Sequence, residues 1–182
     1  MNLQIPKWQP AGISDFVTFW ADTYSDDLEH LYNDNIGQKL NEDRVWSLYK
    51  WKNGSEHISE KKQQSIRTIY LPKLGELPVL TTPDSGKLYV QNLHGGAIWD
   101  IFWLHCVNPP LFPIFDQHTF RAMAKIDGLT PAEIPDTRNK KLQIYFDQYI
   151  PFVQRFQNQK PRQIDKALFA YGRFLKWGFA GR

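Results

Sequence analysis

The chain is poor in the residues that build several common functional sites. Its 182 residues include one cysteine, Cys106, and 2 methionines. One thiol cannot form an internal disulfide, a cysteine-based zinc site or an iron–sulfur site, so these three classes are excluded. His105 next to Cys106 has no second ligand pair, so we expect neither a metal nor a cofactor. We expect Cys106 to be a buried, reduced packing residue.

Long apolar runs are also missing. No segment approaches the roughly 20 apolar residues that span a membrane. The first residues, MNLQIPKWQPAG, lack the basic-then-apolar pattern of a secretory signal. The sequence therefore predicts a cytoplasmic protein with no membrane segment.

Aromatic side chains are abundant: 7 Trp, 8 Tyr and 12 Phe make up 15% of the chain. Such a composition can build a dense core and argues against disorder. A chain of this length is typical of one domain, so we expect a single domain over residues 1–182.

Charge is distributed unevenly although the net charge is only +3. Residues 1–60 carry 5 Lys/Arg and 10 Asp/Glu, whereas residues 155–182 carry 7 Lys/Arg and 1 Asp. A basic end suits a polyanion such as DNA. Two solvated faces of opposite sign explain the same pattern without any ligand, and both interpretations stay open.

Helix signals begin near the N-terminus. Ser14, Asn41 and Ser59 are positioned as N-caps before apolar residues at helical spacing. Gly54, after Asn53, has the position of a left-handed helix end. Acidic residues in SDDLEHLY, from Ser25, suit the first turn of another short helix.

The strongest helical patterns lie in the second half. Residues 95–107 are apolar on nearly every face, with Asp100 the only charge, which predicts a helix in the middle of the domain. If buried, Asp100 needs a partner, for which His94, Arg121 and a loop amide are candidates. Apolar stripes cover residues 142–156 and 164–175, and Pro151 should kink or split the first of them.

The region before the central helix is less clear. Prolines and glycines interrupt residues 71–93, where PDSG sits between two β-favourable segments. This pattern is compatible with a small β-hairpin or with a loop that wraps the core. The whole chain predicts an all-α domain of about eight short helices around one central buried helix, with a possible β-hairpin.

Asp116 follows an apolar run and directly precedes a helical pattern, in FPIFDQHTFRAM. An aspartate in this position accepts a hydrogen bond from a backbone N–H one turn into the helix, worth about 1 kcal/mol. The helix N-terminus also favours its charge, so we expect Asp116 to be ionised at neutral pH. These effects alone account for the residue without any chemistry.

The wider window, residues 93–123, resembles the helix-hairpin-helix DNA glycosylase superfamily. It reads LHGGAIWDIFWLHCVNPPLFPIFDQHTFRAM: a glycine turn, a buried helix, a proline-containing link, then Asp, a polar residue, His and a helix with Arg. The resemblance covers 31 of the 182 residues. It implies an all-α fold and places Asp116 at the mouth of a base-binding pocket, where it stabilises an oxocarbenium-like sugar.

Two departures from the family pattern narrow this interpretation. Gly95 and Gly96 are adjacent and not separated as in the family's Gly-x-Gly hairpin, and Ile98 stands about where bifunctional members carry a Schiff-base lysine. The resemblance therefore implies a monofunctional hydrolase, or a relative that has lost activity. The alternative is a non-catalytic nucleic-acid-binding or protein-interaction module that uses Asp116 only as a cap.

The resemblance also implies roles for other residues. His118 would assist proton transfer to the leaving base, although packing beside the cap is the simpler interpretation of this residue. Trp99 and Trp103, one turn apart, and Gln117 would line the base pocket, whereas the simpler reading of both tryptophans is core packing. Backbone phosphates of a DNA partner would be bound by Gly95, Gly96, Arg121, Arg162, Lys166, Arg173 and Lys176, although the basic helix face among them is equally compatible with plain solvated surface.

Overall fold

The computed structural model describes residues 12–128 and 133–179, and every regular element in those ranges is helical. The first five α-helices are α1 Ile13–Asp22, α2 Glu29–Asn33, α3 Glu42–Asn53, α4 Glu60–Ser65 and α5 Pro83–Gln91. The other five are α6 Ala97–Val107, α7 Gln117–Ile126, α8 Arg138–Ile144, α9 Ile150–Gln154 and α10 Pro161–Phe179. Two π-helical segments, Ile66–Tyr70 and Tyr145–Tyr149, and a 3-10 segment, Leu71–Gly75, complete the set.

The all-α prediction is confirmed for the described residues, and the possible β-hairpin is wrong. The segment PDSG opens helix α5 instead of forming a turn. Thr82 accepts a hydrogen bond from the Ser85 N–H, Ser85 reciprocates, and Pro83 occupies the first turn, where its missing N–H costs nothing. Capping chemistry therefore outweighs the β propensity of the flanking residues.

Helix α6 is the centre of the core, as its apolar sequence predicts. Four consecutive residues of this helix are at most 1% exposed to solvent: Ile101, Phe102, Trp103 and Leu104. Since these four consecutive residues point to all sides of the helix, the helix is surrounded by protein on every face.

Asp100 on α6 is fully buried and well paired. Its Oδ1 accepts from the Tyr70 hydroxyl at 2.9 Å, and its Oδ2 accepts two bonds from Arg138, at 2.9 and 3.1 Å. The amide of Gly95 adds a further bond. The expected loop amide is thus present, whereas Tyr70 and Arg138 take the places considered for His94 and Arg121.

Helix α10 packs against both α1 and α7. The approach to α7 is close at Gly172, where an added Cβ would collide with the backbone of His118. This contact sets the first turn of α7, and therefore Asp116, against the middle of α10.

Both π-helical segments end two residues before a proline. Pro72 follows Ile66–Tyr70, and Pro151 follows Tyr145–Tyr149. A proline removes one backbone donor and its ring crowds the carbonyl four residues earlier, and a widened turn relieves that conflict. The interruption expected at Pro151 takes this form between α8 and α9.

Local predictions are confirmed in part. The Asn41 side chain caps α3 by accepting from the Arg44 N–H, and Gly54 ends that helix with a φ of 69°. Helix α1 begins two residues earlier than predicted, so Gly12 replaces Ser14 as its N-cap. None of the described helices combines the length and apolar character needed to cross a bilayer.

Candidate functional site

Asp116 lies in the wall of a cavity of about 320 Å³, within the usual size range of small-molecule sites. The walls come from the end of α3, the start of α6, the start of α7 and the first half of α10. We call it the Asp116 cavity; its principal lining residues are Tyr24, Trp51, Lys52, Trp99, Asp116, Gln117, His118, Arg162, Asp165 and Phe169.

The Asp116 carboxylate has two kinds of partner. Its Oδ1 accepts from the amides of His118 at 2.8 Å and Thr119 at 3.1 Å, which forms the predicted N-cap of α7. Its Oδ2 accepts from Lys52 Nζ at 3.2 Å. The side chain keeps 18% of its surface exposed, so the cap does not seal it from the cavity.

Lys52 was not predicted as a site residue. It reaches Asp116 from the end of α3, where it also donates to the Phe115 carbonyl at 3.3 Å, and its side chain is only 6% exposed. The two residues are 64 positions apart. Only the packing of α3 against the start of α7 brings them together, so no local pattern indicates the pair.

These contacts decide the charge of Asp116. Burial by itself would raise the pKa of this carboxyl, but Lys52 and the amides of Thr119 and His118 outweigh burial and lower the pKa below its ordinary value. Asp116 is therefore ionised at neutral pH. The positive charge of Lys52 also offsets part of the field that the carboxylate exerts in the cavity.

Aromatic rings form much of the cavity wall. Trp99 lies there as predicted, together with Trp51 and Phe169, which were not predicted. Trp103 does not line it: this ring is fully buried in the core and its indole N–H donates to the Tyr89 hydroxyl at 3.2 Å. The one-turn spacing on α6 places the two predicted rings in different environments.

Trp51 carries a buried polar atom that has no protein partner. Its ring is 7% exposed, and its Nε1–H makes no hydrogen bond within the part of the chain that the structure describes. An unpaired buried donor costs free energy, of the order of 1–3 kcal/mol. The nitrogen itself is closed to solvent, so its missing partner is a property of the protein interior.

Gln117 and His118 both lie at the cavity, as predicted. The His118 ring is half-buried edge-on against Phe169, and its Nδ1 accepts from Arg121 at 3.3 Å. Burial lowers the pKa of His118, against the opposing effect of Asp116. The ring is therefore neutral at pH 7 and holds no proton to give beyond its ordinary N–H.

The glycine turn joins α5 to α6 and serves the core. The Gly95 amide donates to Asp100, and a Cβ on Gly95 would collide with the Tyr70 hydroxyl and an Asp100 oxygen. Gly96 is the N-cap residue of α6, and its surroundings are open. The amide of Gly95 is thus occupied by a carboxylate and does not face a phosphate, which corrects its predicted role.

Two of the predicted DNA-contacting arginines are engaged inside the protein. Arg121 is 5% exposed and donates to the Gly172 carbonyl at 3.2 Å and to Glu133 at 3.0 Å, so it is not a surface group for a phosphate. Arg162 donates to Glu29 at 2.6 Å and stacks 4.3 Å from the ring centre of Tyr32. Arg162 nevertheless lines the cavity.

The other basic residues of α10 divide into two groups. Lys166 forms a salt bridge with Glu29 at 2.9 Å, so its charge is already compensated and it attracts a phosphate less strongly. Arg173 and Lys176 are exposed on the later turns, with Arg173 over the ring of Phe169. The predicted basic face is therefore smaller than the sequence indicates.

A second carboxyl group, Asp165, shares the cavity with Asp116 and was not predicted. It is 4% exposed on α10 and accepts from the Ile114 amide. Burial raises its pKa to about 7, against the opposing effects of Arg162, the Ile114 amide and Lys52. The cavity thus presents one carboxyl that is ionised and one that holds a proton near neutral pH.

Metal chemistry has no ligand set in the described ranges, where no group of three or more His, Cys, Asp and Glu side chains is placed to hold an ion. No protein-family model, curated protein or solved structure matches the chain.

Proposed function

We propose that this protein excises a base from DNA by hydrolysing its N-glycosidic bond, with Asp116 stabilising the positive charge that develops on the sugar. The observation that carries the proposal is the position of Asp116: its carboxylate is ionised, 18% exposed, and part of the wall of a ring-lined cavity of about 320 Å³. A carboxylate fixed before the reaction needs no reorganisation to meet that charge.

The cavity suits a base that has left the DNA stack. Extrusion of a base costs a few kcal/mol of stacking, and aromatic walls recover part of it. Trp51, Trp99 and Phe169 supply such walls. Arg162 adds a cation to the cavity wall, although its guanidinium is already paired with Glu29.

The order of elements supports the same proposal. The turn at Gly95 and Gly96, helix α6, a proline-containing link and the Asp116-capped helix α7 follow one another as the family resemblance implies. The residue about where a Schiff-base lysine would stand is Ile98, which cannot act as a nucleophile. Lys52 is nearby, but its ammonium group is bonded to Asp116 and to the Phe115 carbonyl. The proposed reaction is therefore hydrolytic.

The alternative is a nucleic-acid-binding or protein-interaction module without catalysis. It is favoured by the fact that both oxygens of Asp116 have structural partners, namely the α7 amides and Lys52. Such a module would bind DNA with a steep dependence on salt and leave every base in place.

The experiment is a screen of the purified protein against single- and double-stranded oligonucleotides, each carrying one common base lesion. Alkali cleavage reveals abasic sites. We expect the wild type to release at least one lesion, and Asp116→Asn to reduce the rate about 100-fold or more. Asparagine is an equally good N-cap, so α7 should keep its start.

The matched control is Asp147→Asn. Asp147 also pairs with a lysine, Lys87 at 2.8 Å, but lies outside the cavity at 44% side-chain exposure. It should keep wild-type activity. An Asp116→Asn protein that still forms abasic sites at the wild-type rate excludes Asp116 as the catalytic group, and DNA binding without any base release supports the non-catalytic alternative.

A further inference from the structure

Asp165 occupies a position between two cavities. It lines the Asp116 cavity and also a larger one of about 860 Å³, which we call the His105 cavity and which is lined in part by Tyr32, His105 and Cys106. Although its side chain is 4% exposed, Asp165 forms no salt bridge with any described residue. A buried carboxyl without a salt bridge is costly to keep ionised.

Three charged side chains, from helices α3, α7 and α10, act on the Asp165 carboxyl. Arg162 belongs to the same helix, Lys52 reaches in from α3, and Asp116 lies at the start of α7. The neighbouring neutral groups that can titrate are Tyr32, His105, Cys106, Tyr145 and Tyr149.

His105 does not add a charge to this surrounding. Its Nδ1–H donates to the Phe112 carbonyl at 2.7 Å, so its Nε2 accepts from the Tyr32 hydroxyl at 2.8 Å. Burial lowers the pKa of His105 to about 3. Two cations and one anion therefore act on Asp165, and burial still raises its pKa to about 7.

We propose that Asp165 is the acid that protonates the departing base while Asp116 remains ionised beside the sugar. The inference rests on the proposed base excision. Its basis is geometric, because two carboxyl groups line the same ring-lined cavity. Asp116 caps α7 and is paired with Lys52, whereas Asp165 on α10 is buried without a salt bridge.

The step balances as a hydrolysis. The bond between C1′ of the sugar and the base nitrogen breaks, and its electron pair stays on the base. Asp165 transfers its proton to the base, which leaves as a neutral molecule. Water forms the new bond to C1′ and releases one proton to solvent, from which Asp165 regains its own.

Asp165 suits this role better than His118, the residue expected from the sequence. His118 Nδ1 accepts from Arg121, and burial lowers the pKa of the ring, so it carries no extra proton near neutral pH. Asp165 holds a proton in the same range in which Asp116 has lost its own.

The test is the pH dependence of single-turnover base release by the wild type and by Asp165→Asn. Asparagine keeps the shape of the side chain and an acceptor for the Ile114 amide, but it has no acidic proton. We expect the wild-type rate to fall about tenfold per pH unit above about pH 7, and the Asp165→Asn rate to be about 100-fold lower and independent of pH there. Oligonucleotide affinity should change by less than about threefold, and Asp147→Asn should match the wild type in every respect.

Three results would overturn the inference. A flat wild-type profile between about pH 6 and 9 does so without any variant, even if Asp165→Asn fails to fold. So does an Asp165→Asn protein that keeps the wild-type rate or its alkaline decline. If the wild type releases no base from any oligonucleotide, both the proposed function and this role of Asp165 are wrong. In the first two outcomes the wild type still releases a base, so only the role of Asp165 is wrong.

Discussion

Lys52→Met tests how strongly the cavity lysine stabilises Asp116. Lys52 Nζ makes two hydrogen bonds, to Asp116 Oδ2 at 3.2 Å and to the Phe115 carbonyl at 3.3 Å, on a side chain that is 6% exposed. Methionine can keep the apolar part of the packing and loses both bonds. A buried hydrogen bond to a charged group contributes about 1.5–3 kcal/mol. Because Asp116 keeps its two amide bonds, we expect the free energy of unfolding to fall by about 2 kcal/mol, or roughly 4–8 °C in Tm.

The effect should depend on pH in a defined direction. The folded-state pKa of Asp116 lies below its ordinary value of 3.8, so its stabilising contribution is present above that value and lost as pH falls through the folded-state pKa. The difference between wild type and Lys52→Met should therefore be largest near pH 7 and shrink in strong acid. Urea denaturation at a series of pH values measures it.

The matched control is Lys62→Met on the neighbouring helix α4. Lys62 is exposed and bonds Asn53 Oδ1 at 2.7 Å, so its loss should change stability by less than about 0.5 kcal/mol. If Lys52→Met also costs less than that, or if its cost stays constant down to the acid transition, the ion pair does not determine the state of Asp116.

Two further predictions concern the elements that position the cavity. Gly95→Ala should lower the free energy of unfolding, measured by urea denaturation, by about 1–3 kcal/mol, because its Cβ would meet Tyr70 and Asp100. Gly96→Ala has open surroundings and should cost less than about 1 kcal/mol. Equal effects of the two substitutions would contradict the close approach at Gly95. Thr82→Ala removes the cap of α5 and should cost about 1 kcal/mol with a small loss of helical circular dichroism, and no change in either would argue against that helix start.

The sequence predicts features that depend on neighbours along the chain. The predicted helix-end roles of Asn41 before α3, Gly54 after it and Asp116 before α7 are confirmed. They could be predicted because a cap depends on only a few adjacent residues. Residues 83–86 are ambiguous for a related reason. Pro, Asp, Ser and Gly suit both a β-turn and the first turn of a helix, and only the Thr82 side chain decides between them.

The chemistry of the candidate site was harder to predict because it depends on contacts between distant residues. Lys52 and Asp165 come to Asp116 from α3 and α10, and neither has a sequence motif around it. From the sequence alone, a charged residue on a helix that is buried in the folded protein cannot be distinguished from one that is exposed to solvent. Arg121 and Arg162 show this, since both lie on basic helical stretches yet bond to groups inside the protein.

The central claim is that the Asp116 carboxylate does chemical work beyond capping α7, and the rate of abasic-site formation by Asp116→Asn measures this most directly. We expect this variant to fold with its cap intact, to bind the oligonucleotide with nearly unchanged affinity and to release the base at about one hundredth of the wild-type rate or less. Release at the wild-type rate by that variant would contradict it.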